Sequence, residues 1–168
     1  RSFIASVSSV VLLNAKPIFA DIDLNSQNLT SKTIQNKITK KTKAIIIVHL
    51  AGMPCDMDDI LKLAKEKKIK LIEDCSQAHG AKYKGKSVGS FGDIGTWSFC
   101  NDKIISTGGE GGMITTNSKK NYVFCHSFRD HGKSFKKKYL KNDNSFKWLH
   151  DNFGSNFRLT EIQSCIGL

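Results

Sequence analysis

The sequence predicts an α/β fold, because segments typical of strands alternate with segments typical of amphipathic helices. Ala44 to Val48 is a continuous apolar run, mostly β-branched, as expected for a strand buried on both faces. Apolar residues then recur at helical spacing from Met57 to Ala64, and Lys70 to Glu73 has the pattern of a second strand. This order predicts parallel β-α-β units.

Upstream of the first buried strand, the sequence predicts one short strand and one helix. Pro17 to Ala20 has the pattern of a strand that ends at Asp21. Ser31 is a residue type that caps helices, and a helix is predicted from there to about Ile38.

The helix between the two predicted strands has its own start signal. Asp56 is a suitable N-cap, and acidic residues in the first turn favour the positive end of the helix dipole. Its predicted apolar face consists of Met57, Ile60, Leu61 and Ala64.

After the second predicted strand, glycine becomes frequent and the predicted elements become shorter. Thr96 to Phe99 and Met113 to Thr116 are predicted strands, added to the same sheet as in a hairpin. Asn121 to Phe128 is a predicted helix, Lys133 to Ser145 a mobile basic loop, and another helix is predicted to begin near Thr160.

The net charge is +11, from 26 basic and 15 acidic residues. A basic balance can indicate nucleic-acid or anionic partners. The lysines are scattered, however, and do not alternate with aromatic residues as they do on a surface that binds single-stranded nucleic acid. We therefore favour a solvated lysine-rich surface, with attraction of a phosphorylated small molecule as the alternative, and expect no nucleic-acid partner.

The cysteines and histidines indicate neither a disulfide framework nor a metal site. The five cysteines are widely spaced without a C-x-x-C motif, which favours reduced thiols in the cytoplasm. His49 closes a buried strand and is interpreted as a core histidine, whereas His79 is close enough in sequence to approach the same cleft as Asp74. No apolar run approaches the ~20 residues that cross a membrane, so no membrane partner is expected.

Three features are candidates for chemistry. Asp74 follows a predicted strand at its carboxyl end, the edge where open α/β sheets bind ligands. It could hold a cationic ring nitrogen or cap a turn. Lys103 could act as an amine nucleophile or lie exposed in water. The segment Gly108 to Gly112 could hold a phosphate or form a tight turn, and it lacks the P-loop pattern.

The stretch from Ile72 to Gly112 closely resembles the DegT/DnrJ/EryC1/StrS family of sugar aminotransferases. It reads IEDCSQAHGAKYKGKSVGSFGDIGTWSFCNDKIISTGGEGG. Four further segments resemble family segments in family order: SFIAS at 2–6, AKPIFADID at 15–23, VHLAGMPCDMD at 48–58 and GSNFRLTEIQSCIGL at 154–168. The resemblance covers essentially the whole chain.

This resemblance implies the aspartate-aminotransferase-like fold, called fold type I, whose large domain has a mixed, mostly parallel sheet flanked by helices, with pyridoxal 5'-phosphate as cofactor. Asp74 resembles the acid that pairs with the pyridine nitrogen of the cofactor. Lys103 resembles the lysine that holds the cofactor as a Schiff base. Gln77 resembles the side chain near the ring hydroxyl.

The resemblance also implies residues that bind the rest of the cofactor. Ser98 resembles a phosphate-binding hydroxyl, and Phe3 matches the aromatic position that stacks on the ring. Asn156 resembles the residue that reaches the phosphate in the neighbouring subunit, which implies a homodimer. No role is assigned to Arg158.

The implied activity is transamination of a nucleotide-linked keto-sugar to an amino-sugar, with glutamate as the expected donor, for lipopolysaccharide or related biosynthesis. A dehydratase branch resembles these proteins but has histidine in place of the lysine, so Lys103 favours transamination. The alternatives are another fold type I enzyme and a non-catalytic homologue. Family members are more than twice this length. Residues 1–168 are therefore expected to be a fragment, the central part of the cofactor-binding large domain, without the N-terminal segment and the C-terminal small domain.

Overall fold

A computed structural model describes residues 2–136 and 149–168 of the chain. The helices are α1 (Ala5–Leu12), α2 (Ser31–Gln35), α3 (Met57–Lys67), α4 (Lys119–Phe128) and α5 (Glu161–Gly167). The strands are β1 (Ala44–Val48), β2 (Lys70–Asp74), β3 (Lys82–Tyr83), β4 (Lys86–Ser87), β5 (Ile94–Ser98) and β6 (Gly112–Thr115). A short 3-10 helix, Leu50–Gly52, follows β1.

Four of the strands form a mixed sheet in the order β1-β2-β5-β6. β1, β2 and β5 run parallel to one another, and β6 pairs antiparallel with β5. β3 and β4 form a separate hairpin. The predicted mixed, mostly parallel sheet is therefore confirmed.

The main core lies between the sheet and α3. Ile45 and Ile47 of β1 and Leu71 of β2 are buried there with Met57 and Ile60 of α3. Alternate side chains of a strand point to opposite faces, so Ile72 and Asp74 face the other side of the sheet from Leu71 and Glu73. One face of the sheet therefore packs against α3, and Asp74 lies on the opposite face of the sheet, toward α1.

Two predictions for the N-terminal third were wrong in detail. Pro17–Ala20 pairs with no strand among the described residues and is not a strand. α2 is capped by Thr30 instead of Ser31, because Thr30 and Thr33 form a reciprocal capping box, and the helix ends at Gln35.

The prediction for α3 was correct in position but not in its contacts. Asp56 occupies the N-cap position, yet its carboxylate makes no capping hydrogen bond and accepts one from the Tyr83 hydroxyl at 2.6 Å. Leu63 is buried, whereas the predicted Leu61 is only half-buried. The other members of the predicted face are buried.

The later elements confirm the predicted types with shifted bounds. β5 begins two residues before Thr96, and β6 covers Gly112–Thr115 instead of Met113 to Thr116. α4 begins at Lys119, because Ser118 caps it, and α5 begins directly after Thr160, which caps it. Most of the predicted mobile loop, residues 137–145, lies outside the described residues.

Candidate active site

The candidate site lies at the carboxyl edge of the sheet, where β2 and β5 end beside each other. Asp74 is the last residue of β2 and pairs in register with Thr96, two residues before the end of β5 at Ser98. Parallel strands end at the same edge, so Asp74 and the residues after Ser98 are brought together. The sequence-based placement of Asp74 at a strand end is confirmed.

The Asp74 carboxylate has one hydrogen bond to each oxygen. The Ser6 hydroxyl donates to Oδ2 at 2.7 Å, and the backbone N–H of Ser76 donates to Oδ1 at 3.1 Å. Each carboxylate oxygen has a further lone pair, so Asp74 can still accept a hydrogen bond from a ligand.

Lys103 lies in the turn that follows β5. Its backbone N–H donates to the Cys100 carbonyl at 3.0 Å, which closes the turn. Its Nζ is 3.2 Å from Asp102 Oδ1 and 6.0 Å from the centroid of the Phe3 ring. The Lys103 side chain is 23% exposed. The hydrogen bond from Lys103 is the main cause that lowers the pKa of Asp102.

The turn that leads into α1 connects Asp74 and Lys103. The backbone N–H of Ser6 donates to the Phe3 carbonyl at 3.2 Å, so both residues belong to one turn of chain. Ser6 contacts Asp74, and the Phe3 ring lies beside Lys103 Nζ. The ring is 67% exposed. The acid, the amine and an open aromatic surface therefore lie around one turn of chain.

Gln77 holds the loop after β1. Its Oε1 accepts a hydrogen bond from the backbone N–H of Ala51 at 2.9 Å, which orients the amide with its Nε2 donors away from that contact. Ala51 has φ of 51°, in the left-handed region that a residue with a Cβ enters at some cost. Asn28, which is buried, holds the same loop by donating to the Met53 carbonyl.

Ser98 and Asn156 have different surroundings. The Ser98 hydroxyl lies at the end of β5 and accepts a weak hydrogen bond from Cys100 N–H at 3.4 Å. Asn156 lies on a separate segment, where it forms an isolated antiparallel bridge with Asp130 and accepts from Arg158 Nε at 3.0 Å. Among the described residues, no hydrogen bond joins Asn156 to the edge of the sheet.

The Gly108–Gly112 segment contacts α5 and makes room for it. A Cβ on Gly108 would lie 2.8 Å from a methyl group of Ile166, and one on Gly111 would overlap the Thr107 hydroxyl. Gln163 Nε2 also donates to the Glu110 carbonyl at 2.5 Å. Packing against α5 therefore restricts Gly108, whereas Gly111 is restricted by Thr107, and the positive φ of Gly108 and Gly109 agrees with the tight-turn interpretation.

Two residues near the site were missed by sequence reasoning. Ser6 is one of several serines in its segment, and no sequence pattern distinguishes it. Glu73 is fully buried and was counted only as the end of a strand. A charged residue at an inward position of an apolar strand is a signal that could have identified it.

A buried cluster of His49, Glu73 and Cys75 lies on the other face of the sheet from Asp74, with potential metal-ligand atoms within 4.8 Å of one another. Both imidazole nitrogens and both carboxylate oxygens already have hydrogen-bond partners in the protein. His49 is therefore a satisfied core histidine, as expected. His79 packs against the rings of Trp97 and Phe99, at 5.5 and 5.9 Å.

Within residues 2–136 and 149–168, each helix is too short or too polar to traverse a lipid bilayer.

The chain matches known proteins along its length. A sequence profile of the DegT/DnrJ/EryC1/StrS aminotransferase family matches residues 1–168. The chain is 47% identical over 167 residues to the GDP-perosamine synthase of Escherichia coli O157:H7, covering 99% of this chain and 43% of that protein. It is 42% identical over 166 residues to the dTDP-3-amino-3,6-dideoxy-alpha-D-galactopyranose transaminase of Aneurinibacillus thermoaerophilus, with coverage of 99% and 43%.

A solved structure has the same fold. The aminotransferase from Psychrobacter cryohalolentis superposes with a TM-score of 0.96 at 52% identity, covering 99% of this chain and 42% of that one. The chain thus spans less than half the length of the relatives that it matches. Its fold is that of the fold type I pyridoxal-phosphate enzymes, which confirms the expected fold class. The chain belongs to the DegT/DnrJ/EryC1/StrS aminotransferase family.

Proposed function

We propose that this chain forms the cofactor-binding core of an aminotransferase that converts a nucleotide-linked keto-sugar to an amino-sugar. The observation that carries the proposal is the placement of Asp74, Lys103 and the exposed Phe3 ring around one turn of chain. The names of the two relatives support the substrate class, because one acts in GDP-sugar and the other in dTDP-sugar chemistry. We place residues 1–168 in the central part of the cofactor-binding domain.

The side chains at this edge of the sheet fit pyridoxal 5'-phosphate chemically. A carboxylate that accepts hydrogen bonds suits a protonated pyridine nitrogen, a lysine amine suits the aldehyde carbon, and an exposed aromatic ring suits stacking. When bound, the cofactor supplies an electron-accepting ring through which the amino group passes from donor to acceptor.

Each residue then has a distinct task. Asp74 holds the proton on the ring nitrogen, because a carboxylate stabilises the nearby positive charge. Lys103 would hold the cofactor through Nζ, and its amine would serve as general base and acid that moves the proton at the donor carbon. Phe3 stacks on the ring. Gln77 would donate from Nε2 to the ring oxygen, and Ser98 would donate to the phosphate.

The partners are also part of the proposal. Glutamate serves as amino donor, and a homodimer lets Asn156 reach the phosphate bound by the neighbouring subunit. The diphosphate of the sugar nucleotide is negatively charged, so a net charge of +11 favours its approach. We also propose that the protein is located in the cytoplasm, because an odd number of widely spaced cysteines favours reduced thiols, which are typical of that compartment.

Borohydride reduction tests the role of Lys103. Reduction fixes pyridoxal phosphate to the lysine that holds it, and peptide mass spectrometry then identifies that lysine. We expect the label on Lys103, and we expect Lys103→Arg to lose both the label and turnover of a nucleotide-linked keto-sugar with glutamate. The control is Lys62→Arg, which changes an exposed lysine of α3 in the same way. A label on another lysine, or full turnover by Lys103→Arg, would contradict the assignment.

A further inference from the structure

The Ser6 side chain makes the one side-chain hydrogen bond described for the Asp74 carboxylate. Its hydroxyl donates to Asp74 Oδ2 at 2.7 Å, between residues 68 positions apart in the sequence. Hydrogen bonds to a charged acceptor are about twice as strong as neutral ones. The contact is part-buried, which limits the competition of water for the carboxylate.

Proton counting extends this contact to Ser2. A hydroxyl has one proton, and an ionised carboxylate can only accept, so the Ser6 proton points to Asp74. The Ser2 and Ser6 hydroxyl oxygens are also 2.7 Å apart. In that pair the proton comes from Ser2, whose hydroxyl also donates to the Phe3 carbonyl at 3.2 Å, so Ser2 divides one proton between two acceptors. The fixed donation is therefore from Ser6 to Asp74, and Ser2 contributes a partial one.

Ser6 also fixes Asp74 relative to Phe3. Its backbone N–H donates to the Phe3 carbonyl, while its side chain holds the carboxylate. The backbone N–H of Ser76 holds the other carboxylate oxygen. With one hydrogen bond on each oxygen, the carboxylate is held relative to the turn of chain that carries Phe3.

We propose that Ser6 is a positioning residue that orients the Asp74 carboxylate toward the ring nitrogen of the cofactor, with Ser2 supporting Ser6. This inference rests on the proposed function. Ser6 does not contact the reacting atoms. It ties the acid to the turn of chain that carries the stacking ring, so that both face the same cofactor ring.

Three variants of the full chain test the role of the hydroxyl. Ser6→Ala removes it in a residue type that favours helices, and Ser6→Thr retains it. Ser8→Ala is the matched control, because the hydrogen bond described for the Ser8 hydroxyl goes to the carbonyl of Ile4, the N-cap of α1. The readouts are the dissociation constant for pyridoxal phosphate and the pH at which the absorbance of the bound cofactor changes.

We expect Ser6→Ala to weaken cofactor binding by about tenfold, the effect of losing one hydrogen bond to a charged group. The pH of the absorbance change should also shift, because the cofactor nitrogen loses a fixed acid partner. Ser6→Thr and Ser8→Ala should match the wild type in both measurements. A purely structural role of Ser6 would change the thermal stability without moving the pH of the absorbance change.

A double-mutant cycle with Asp74→Asn identifies the route of the effect. If Ser6 acts through Asp74, Ser6→Ala has no further effect on cofactor affinity in the Asp74→Asn protein. Equal losses in both backgrounds, or wild-type behaviour of Ser6→Ala, overturn the inference and leave the proposed function standing. A wild-type protein that binds no pyridoxal phosphate overturns both.

Discussion

The carboxylate of Glu73 accepts a hydrogen bond from Nε2 of His49 at 3.1 Å, and both side chains are fully buried. Three further donors to this carboxylate are backbone N–H groups, those of Gly89, Phe91 and Gly92. The other ring nitrogen of His49 accepts from the backbone N–H of Cys55, so the imidazole is neutral with its proton on Nε2. One carboxylate therefore ties the loop after β1 and the loop before β5 to the middle of the sheet.

Replacing Glu73 by Gln should destabilise the protein by about 3 kcal/mol, because a buried network loses its charge and an amide N–H₂ then faces backbone donors. Urea unfolding of the purified chain measures the change. The control is Glu66→Gln, which makes the same substitution at an exposed position of α3. Equal stability of the two variants would show that the Glu73 contacts contribute little.

Acid should destabilise the protein partly through Glu73. Burial opposes its ionisation, but the hydrogen bonds from His49 and the backbone together lower its pKa below the usual 4.5. A lowered pKa contributes stability that is fully present above 4.5 and is lost as the pH falls through the lower value of the folded state.

We therefore expect the free energy of unfolding to fall as the pH drops below 4.5. The fall should be shallower in the Glu73→Gln protein. A residual slope should remain, because Asp93 also has a lowered pKa: burial opposes its ionisation, but the hydrogen bond from Lys70 favours the charged form. Urea unfolding at a series of pH values measures the slopes. Parallel curves for the wild type and the variant would contradict the assignment.

Gly132 should tolerate no side chain. Its φ is 80°, and a Cβ would overlap the carbonyl oxygen of Asn152. Gly85 has the same φ of 80° with open space around it, so Gly85→Ala should cost only the backbone strain, about 1 kcal/mol. Gly132→Ala should cost more, because the backbone of residues 152–154 has to move.

Thermal unfolding compares the two glycine variants. The Gly132 variant should also disturb Asn156, because that segment is bridged to Asp130 next to this turn. Equal unfolding temperatures of the two variants would show that the segment after residue 149 is not packed against Gly132.

Local sequence patterns correctly predicted β1 and α3, whose formation depends mainly on the spacing of their own apolar residues. The β-branched run of β1 and the apolar spacing of α3 were recognised because each buries one continuous surface against the other. Pro17–Ala20 has a similar local pattern but no partner strand among the described residues, and a strand depends on partners that the local sequence does not specify. The capping of α2 by Thr30 instead of Ser31 depends on one reciprocal hydrogen-bond pair, which shifts a boundary by one residue.

The sequence by itself determined the fold class, the family, and the identity of Asp74 and Lys103 as candidates, because these depend on periodicity and on ordered motifs along the chain. Only the tertiary structure decided that Ser6 holds Asp74, that the Phe3 ring lies beside Lys103, and that Glu73 binds two loops from within the core. These contacts join residues that are far apart in sequence. Their hydrogen bonds depend on distances of a few tenths of an ångström, which are set when the strands pair and the helices pack.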